Sequence, residues 1–129
     1  MKFGCRIISE GIAEGIALVS KSPVSLLGDI DERGIFTVGD LKGKSVAEKI
    51  LIFPYGRGST VGSYTLLRLK KKGLAPYAII NRESEPIIAI GAIIAEIPLV
   101  DLVDNDFFSI VKSGDKVFVN AIDGYVEIR

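Results

Sequence analysis

A glycine- and serine-rich segment near the middle of the chain contains the residue types best suited to chemistry. Its sequence is Pro54-Tyr55-Gly56-Arg57-Gly58-Ser59-Thr60-Val61-Gly62-Ser63, and we call it the glycine turn. It follows a strand-like apolar run at residues 50–53 and precedes a helix-like stretch at residues 64–72. Such a turn presents backbone N–H groups at a helix N-terminus, where the helix dipole favours negative charge. The pattern indicates a cradle for an anionic small molecule, with a serine exposed to it.

The glycine turn matches none of the common phosphate or hydrolase motifs. Gly56, Gly58 and Gly62 are spaced G-x-G-x-x-x-G, one residue too long for a dinucleotide fingerprint, and neither a Walker A lysine nor a G-x-S-x-G pattern is present. Three interpretations stay open. The first is a structural turn in which Ser59 or Thr60 caps the helix, and the second is a phosphate or carboxylate cradle. The third is a catalytic serine whose alkoxide is stabilised by backbone N–H groups and Arg57, with further groups from another protein.

The composition limits the chemistry that this chain can perform alone. The 129 residues fit one domain, residues 1–129, and 48% of them are hydrophobic. Histidine is absent and cysteine occurs once, which excludes a Ser-His-Asp triad, a Cys/His zinc site and a self-contained iron–sulfur site. The 16 basic and 16 acidic residues balance, so nothing indicates nucleic-acid binding. Difficult chemistry would therefore need a second chain.

The hydropathy pattern favours a cytoplasmic protein. No run approaches the ~18–20 apolar residues of a membrane span, and the N-terminus shows no apolar leader region. The single cysteine, Cys5, excludes an internal disulfide and alternates with Phe3 and Ile7 as in a strand. We expect it to be a buried structural thiol.

Periodicity and turn signals predict an α/β domain with a mixed sheet, β-rich ends and a central β-α-β-α-β unit. The unit comprises strands at 49–53, 77–80 and 97–100 and helices at 60–72 and 86–95, with Gly73 and Glu85-Pro86 as helix boundaries. The second helix is apolar almost all round, which predicts extensive burial, with Gly91 allowing close packing. Upstream, residues 25–27 are a candidate strand and residues 28–34 a solvated loop. The glycine turn would follow a central strand, where α/β sheets tend to bind ligands.

The glycine turn and several other segments resemble the small subunit of the aconitase X family. The likeness continues through the stretches that begin Gly73-Leu74-Ala75-Pro76, Glu85-Pro86-Ile87, Ile97-Pro98-Leu99 and Gly114-Asp115-Lys116, and upstream through Gly11-Ile12-Ala13 and Pro23-Val24-Ser25. The family resembles aconitase divided into two chains, of which the small one is the swivelling β/β/α domain of the aconitase C-terminus. The resemblance covers nearly the whole chain and implies that fold here.

The resemblance also implies roles for particular residues. Gly56-Arg57-Gly58-Ser59 matches the Gly-x-Gly-Ser part of the aconitase turn that supplies the proton-abstracting base, so Ser59 is the implied proton acceptor. Val61 stands where aconitase has an arginine, and Arg57 is expected to serve the substrate instead. The predicted substrate-binding residues are Arg57, Gly58, Thr60, Ser63 and Ser25. A large iron–sulfur subunit is the implied partner in a heterodimer. Its 4Fe-4S cluster would act on the leaving hydroxyl, and this chain would bind no metal.

The implied activity is that of a hydro-lyase subunit, active only with its partner. Relatives of this type dehydrate (R)-5-phosphomevalonate to trans-anhydromevalonate 5-phosphate in the archaeal mevalonate pathway of isoprenoid biosynthesis, whereas bacterial relatives dehydrate cis-3-hydroxyproline. The motif does not choose between these substrates. Two further alternatives are a non-catalytic swivelling or anion-binding scaffold domain and an autonomous binder of phosphates or carboxylates.

Overall fold

The computed structural model describes residues 1–58, 62–104 and 106–129. The strands in these ranges are β1 (Lys2–Gly4), β2 (Arg6–Ser9), β3 (Gly11–Val19), β4 (Lys49–Phe53), β5 (Ala78–Asn81), β6 (Leu99–Asp101), β7 (Lys116–Ala121) and β8 (Tyr125–Ile128). The helices are α1 (Ser63–Lys71), α2 (Pro86–Ala95) and α3 (Phe107–Ile110). None of the helices in the described ranges is long and apolar enough to cross a membrane.

The strands form one mixed sheet in the order β1-β8-β7-β3-β4-β5-β6-β2. β3, β4, β5 and β6 pair in parallel, and the remaining pairs are antiparallel. The predicted β-α-β-α-β unit is therefore confirmed as β4-α1-β5-α2-β6. Helical crossovers are the usual way to connect parallel neighbours. β4 lies between β3 and β5, so the glycine turn leaves the carboxyl end of an internal strand.

The sheet is rolled. Its two terminal strands, β1 and β2, are consecutive in the chain and separated by Cys5 alone. A single residue spans only about 3.5 Å, so the two ends of the sheet must meet at Cys5. The backbone N–H of Cys5 donates to the carbonyl of Gly124 at 3.0 Å, which ties this corner to the β7–β8 hairpin.

Two apolar clusters fill the two sides of the rolled sheet. One contains alternate residues of seven strands together with Phe107 of α3, so it occupies the inside of the roll. The other lies between the sheet and helices α1 and α2. β4 contributes Ile50 and Ile52 to the first cluster and Leu51 and Phe53 to the second. This division explains why the strand is a continuous apolar run, because both of its faces are buried.

Local signals at the helix ends are confirmed. Gly73, at φ +73°, follows the C-cap of α1, and the N–H of Leu74 donates to the carbonyl of Leu69 at 2.9 Å. This arrangement satisfies carbonyls at the end of α1. Pro86 lies at the first position of α2, and the side chain of Glu85 caps that helix.

Three expectations are wrong, namely the extensive burial of α2, the strand at residues 25–27 and the full solvation of the loop at residues 28–34. The outer face of α2 is exposed at Ile90 (49%), Ile93 (54%) and Ile94 (43%), because α2 packs on the sheet and α1 through only one side. Residues 26–29 form a turn rather than part of a strand, and Asp29 in the supposedly solvated loop is buried. The close packing expected at Gly91 is present, since a Cβ there would lie 2.9 Å from the carbonyl oxygen of Ser63.

Candidate functional site

The start of the glycine turn is hydrogen-bonded to the end of the neighbouring strand β5. The backbone N–H of Arg82 donates to the carbonyl of Pro54 at 2.9 Å, and Nδ2 of the buried Asn81 donates to the carbonyl of Phe53 at 3.0 Å. Asn81 Oδ1 is the buried side-chain oxygen without a hydrogen-bond partner in the described part of the chain. These contacts fix where the turn leaves the sheet.

A segment from upstream in the chain runs beside the turn, and we call residues 24–29 the strap. Val24 forms a parallel bridge with Gly56. The N–H of Val24 donates to the carbonyl of Tyr55 at 3.2 Å, and the N–H of Arg57 donates to the carbonyl of Val24 at 3.0 Å. The strap therefore acts as a short additional strand along the turn, and it brings Ser25 next to Gly58.

Ser25 and Gly58 are in direct contact. Gly58 has a φ of +112°, a conformation that side chains rarely adopt, and a Cβ there would lie 2.6 Å from Oγ of Ser25. The same Oγ accepts a hydrogen bond from the N–H of Gly28 at 3.1 Å. Glycine is required at position 58 both by the backbone conformation and by the approach of Ser25.

Arg57 points back onto the strap. Its Nη2 donates to both carboxylate oxygens of Asp29, at 3.3 and 3.2 Å. Asp29 Oδ2 also accepts the N–H of Ser25 at 2.9 Å. Arg57 and Asp29 line a cavity of about 350 Å³ together with Ser20, Ser22 and Asp40. A cation, a buried carboxylate and a serine are thus joined at the base of the turn.

The second helix N-terminus at this edge is already occupied by a carboxylate. The side chain of Glu85 accepts the N–H groups of Ile87 and Ile88 at 2.9 and 2.7 Å. A Cβ at Gly56 would overlap the side chain of Ile88 and lie 2.7 Å from Oε1 of Glu85. The N-terminus of α2 therefore buttresses the turn. The N-cap residue of α1, Gly62, has no side chain to cap that helix.

The structure brings together only part of the predicted set of site residues. Ser25, Arg57 and Gly58 are mutual neighbours through the contacts above. Ser63 is buried in the first turn of α1, and Gly91 packs against its backbone. Ser59 and Thr60 lie outside the described residues, so their predicted roles stay predictions.

The sequence analysis missed Asp29 and Glu85 as parts of the site. The acidic residues around Asp29 predict a solvated loop, and the Glu85-Pro86 pair predicts only a helix boundary. The one available signal for Asp29 was an unpaired arginine inside the turn, for which a buried carboxylate is a suitable partner. That contact spans 28 positions of the chain, and no local pattern encodes it.

The described residues do not fit an iron–sulfur cluster or another metal centre. They contain no group of three or more His, Cys, Asp or Glu side chains placed to hold a metal ion. Burial, with smaller contributions from the carboxylates of Asp101 and Asp104, raises the pKa of the Cys5 thiol to about 11. A thiol with so high a pKa supplies little of the thiolate that metals bind.

The rolled mixed sheet, the β-α-β-α-β centre and the glycine turn at the end of an internal strand define the class of this protein as a swivelling α/β domain. Residues 2–128 match the family model for the aconitase X swivel domain, and the chain belongs to that family. The expected fold class and family resemblance are both confirmed.

Relatives match along almost the whole chain. A protein of Archaeoglobus fulgidus named phosphomevalonate dehydratase small subunit is 59% identical over 130 residues, covering 99% of this chain and 98% of the relative. A Methanosarcina mazei protein of the same name is 52% identical, covering 99% of this chain and 91% of the relative. The crystal structure of Thermococcus kodakaraensis aconitase X in its holo-form superposes with a TM-score of 0.94 at 51% identity, covering 100% of this chain and 98% of that one.

Proposed function

We propose that this chain is the small subunit of a two-chain hydro-lyase that removes water from (R)-5-phosphomevalonate to give trans-anhydromevalonate 5-phosphate. The observation that carries this proposal is the 59% identity, over nearly the full length of both chains, to a relative named for that dehydratase. The swivelling fold and the placement of the glycine turn support it. An identity this high, without large insertions or deletions, favours a shared substrate over a shared fold alone.

The proposed chemistry begins with proton removal by Ser59. Its alkoxide takes the proton from the carbon beside the substrate carboxylate, and the released electron pair forms the double bond as the hydroxyl leaves the next carbon. An alkoxide needs its negative charge stabilised. Ser59 follows Gly58 directly in the sequence, and Arg57, two positions before it, is the nearest positively charged residue along the chain. Ser25, Thr60 and Ser63 remain the further candidates for substrate contact.

The proposal includes a partner. The relatives are named small subunits, and the described residues of this chain include no cluster of His, Cys, Asp or Glu side chains that could hold a metal ion to assist departure of the hydroxyl. We infer that a large aconitase-like subunit forms a heterodimer with this chain and holds the iron–sulfur cluster. The active site would then lie between the two subunits, with the glycine turn facing the partner.

The test is reconstitution. This chain is co-expressed with the large subunit, and dehydration is assayed with (R)-5-phosphomevalonate and with cis-3-hydroxyproline. We expect turnover of phosphomevalonate by the complex and none by either chain alone. Ser59→Ala should lower kcat by about 100-fold or more, whereas Ser109→Ala, a control at an exposed helix position, should not change it. Turnover of hydroxyproline alone would overturn the substrate. A fully active Ser59→Ala complex would overturn the role of Ser59, and a complex without turnover would favour the scaffold alternative.

A further inference from the structure

Asp29 is a buried carboxylate in the strap, only 8% exposed, and both of its oxygens are engaged. Oδ2 accepts the N–H of Ser25 at 2.9 Å and Nη2 of Arg57 at 3.2 Å, and Oδ1 accepts the same Nη2 at 3.3 Å. One side chain thus joins the two segments that form the site, the strap and the glycine turn. Its loss would release both Ser25 and Arg57.

The ion pair uses only part of the arginine. The Arg57 side chain is 56% exposed, and its Nε and Nη1 make no hydrogen bond to any described residue. An ion pair with such an exposed partner contributes little to stability. Its effect is geometric: Nη2 is held by Asp29, while Nε and Nη1 are left without a hydrogen-bond partner among the described residues. A planar guanidinium can hold one carboxylate in this way and still present donors to a second anion.

Asp29 is also linked to the backbone of the glycine turn, through the contact between Ser25 of the strap and Gly58. Asp29 holds the backbone N–H of Ser25, while the N–H of Gly28 holds its Oγ, so both ends of Ser25 are fixed within the strap. That Oγ is the atom against which Gly58 packs, and Gly58 immediately precedes Ser59. A displacement of the strap would therefore reach the residue before the proposed proton acceptor.

We propose that Asp29 is a positioning residue. It orients Arg57 so that one of the two remaining donor nitrogens, Nε or Nη1, binds an anionic group of the substrate, and it holds Ser25 against Gly58. This inference deepens the proposed function and rests on it for the identity of the anion. Asp29 itself touches neither substrate nor reacting atoms.

The first experiment measures kinetics of the two-subunit complex with Asp29→Asn, Arg57→Ala and the double variant. Asp29→Asn should lower kcat/KM about tenfold, mainly through KM, because a less ordered Arg57 weakens substrate binding. In the Arg57→Ala background the same change should cost less than about twofold, since its effect passes through Arg57. Asp31→Asn is the matched control: Asp31 also accepts backbone N–H groups and pairs with an arginine, Arg33, but the hydrogen bonds of its side chain go to Arg33 and Ile35 and not to Arg57 or Ser25.

Either of two kinetic results would overturn the inference. One is an Asp29→Asn complex with the kcat/KM of the unmodified complex, and the other is a pair of independent, multiplying effects of Asp29→Asn and Arg57→Ala. If Asp29→Asn does not fold, Arg57→Lys tests the same contact. A lysine keeps the charge but cannot hold Asp29 and an anion at once, so KM should rise by a similar factor. An unchanged KM in Arg57→Lys would contradict the proposal.

The second experiment separates this inference from the proposed function. Side-chain ¹⁵N NMR of the full 129-residue chain follows the Nε–Hε signal of Arg57, with Arg33 as an internal reference. Asp29→Asn should shift the Arg57 signal and increase its averaging while the Arg33 signal stays in place. An unchanged Arg57 signal overturns the inference whatever the activity. An inactive complex in which the NMR shows the predicted dependence overturns the proposed substrate and supports the Asp29–Arg57 arrangement.

Discussion

Replacing Gly58 by alanine tests the architecture of the turn directly. The φ of +112° makes any L side chain strained at this position, and a new Cβ would lie 2.6 Å from Oγ and 3.4 Å from Cβ of Ser25. Backbone strain of this kind costs about 1–3 kcal/mol, and displacement of the strap adds a steric cost of about 1–2 kcal/mol. We therefore expect Gly58→Ala to lower the free energy of unfolding by about 2–5 kcal/mol, measured by urea denaturation with m-values compared.

A control and a double variant separate strain from contact. Gly114 has a similar φ of +100°, but a Cβ there would meet nothing within 4 Å. Gly114→Ala should therefore show the strain alone, about 1–3 kcal/mol. In a Ser25→Ala background, Gly58→Ala should cost less than in the unmodified chain, because the overlapping oxygen is gone. Two results together would refute the contact between strap and turn. Gly58→Ala and Gly114→Ala would lower the free energy of unfolding equally, and the effects of Gly58→Ala and Ser25→Ala would simply add in the double variant.

Two further predictions concern ionisable groups away from the turn. Burial alone would raise the pKa of Asp101, but hydrogen bonds from Arg6 and Ser84 outweigh it and hold the pKa below its usual range. A depressed folded-state pKa stabilises above the unfolded value of about 3.9 and loses that effect as pH falls through the folded value. Asp101→Asn should therefore lower the urea midpoint of unfolding at neutral pH. Below about pH 4 the urea midpoint of the variant should fall less steeply with decreasing pH than that of the unmodified chain. Urea midpoints that change with pH in parallel in the two proteins would contradict this. Cys5, with a pKa of about 11 against an ordinary 9.0, should react with iodoacetamide roughly 100-fold more slowly in the native chain than in urea at the same pH. Comparable rates in the two states would be inconsistent with its burial.

Sequence patterns predicted the central unit because its signals are local. The apolar run of β4, the glycine after α1 and the Glu85-Pro86 start of α2 each depend on residues within one or two turns of chain. These signals also placed the glycine turn at the end of an internal strand. Family resemblance then supplied the swivelling fold, which local patterns alone left as a mixed α/β domain.

The strap and the rolled sheet could not be predicted from local patterns because they depend on distant pairings. Asp29 follows a glycine in an acidic stretch and has the composition of a surface loop. Hydrogen bonds from the N–H of Ser25 and from Arg57, 28 positions away, make its burial favourable. The burial of α2 was overestimated for a related reason. Hydrophobic residues on all sides of a helix predict burial, yet no element among the described residues covers Ile90, Ile93 and Ile94.

The meeting of β1 and β2 at Cys5 has a consequence for how this chain can assemble. The strands at the two ends of the sheet have only three and four residues. Both backbone polar groups of Gly4 in β1 are paired with Asp104. The N–H of Gly4 donates to the Asp104 side chain, and the carbonyl of Gly4 accepts the N–H of Asp104. A partner has little exposed strand edge on which to add a strand of its own. In the proposed heterodimer, association would therefore rely on side chains of loops and helices rather than on a sheet shared by the two subunits.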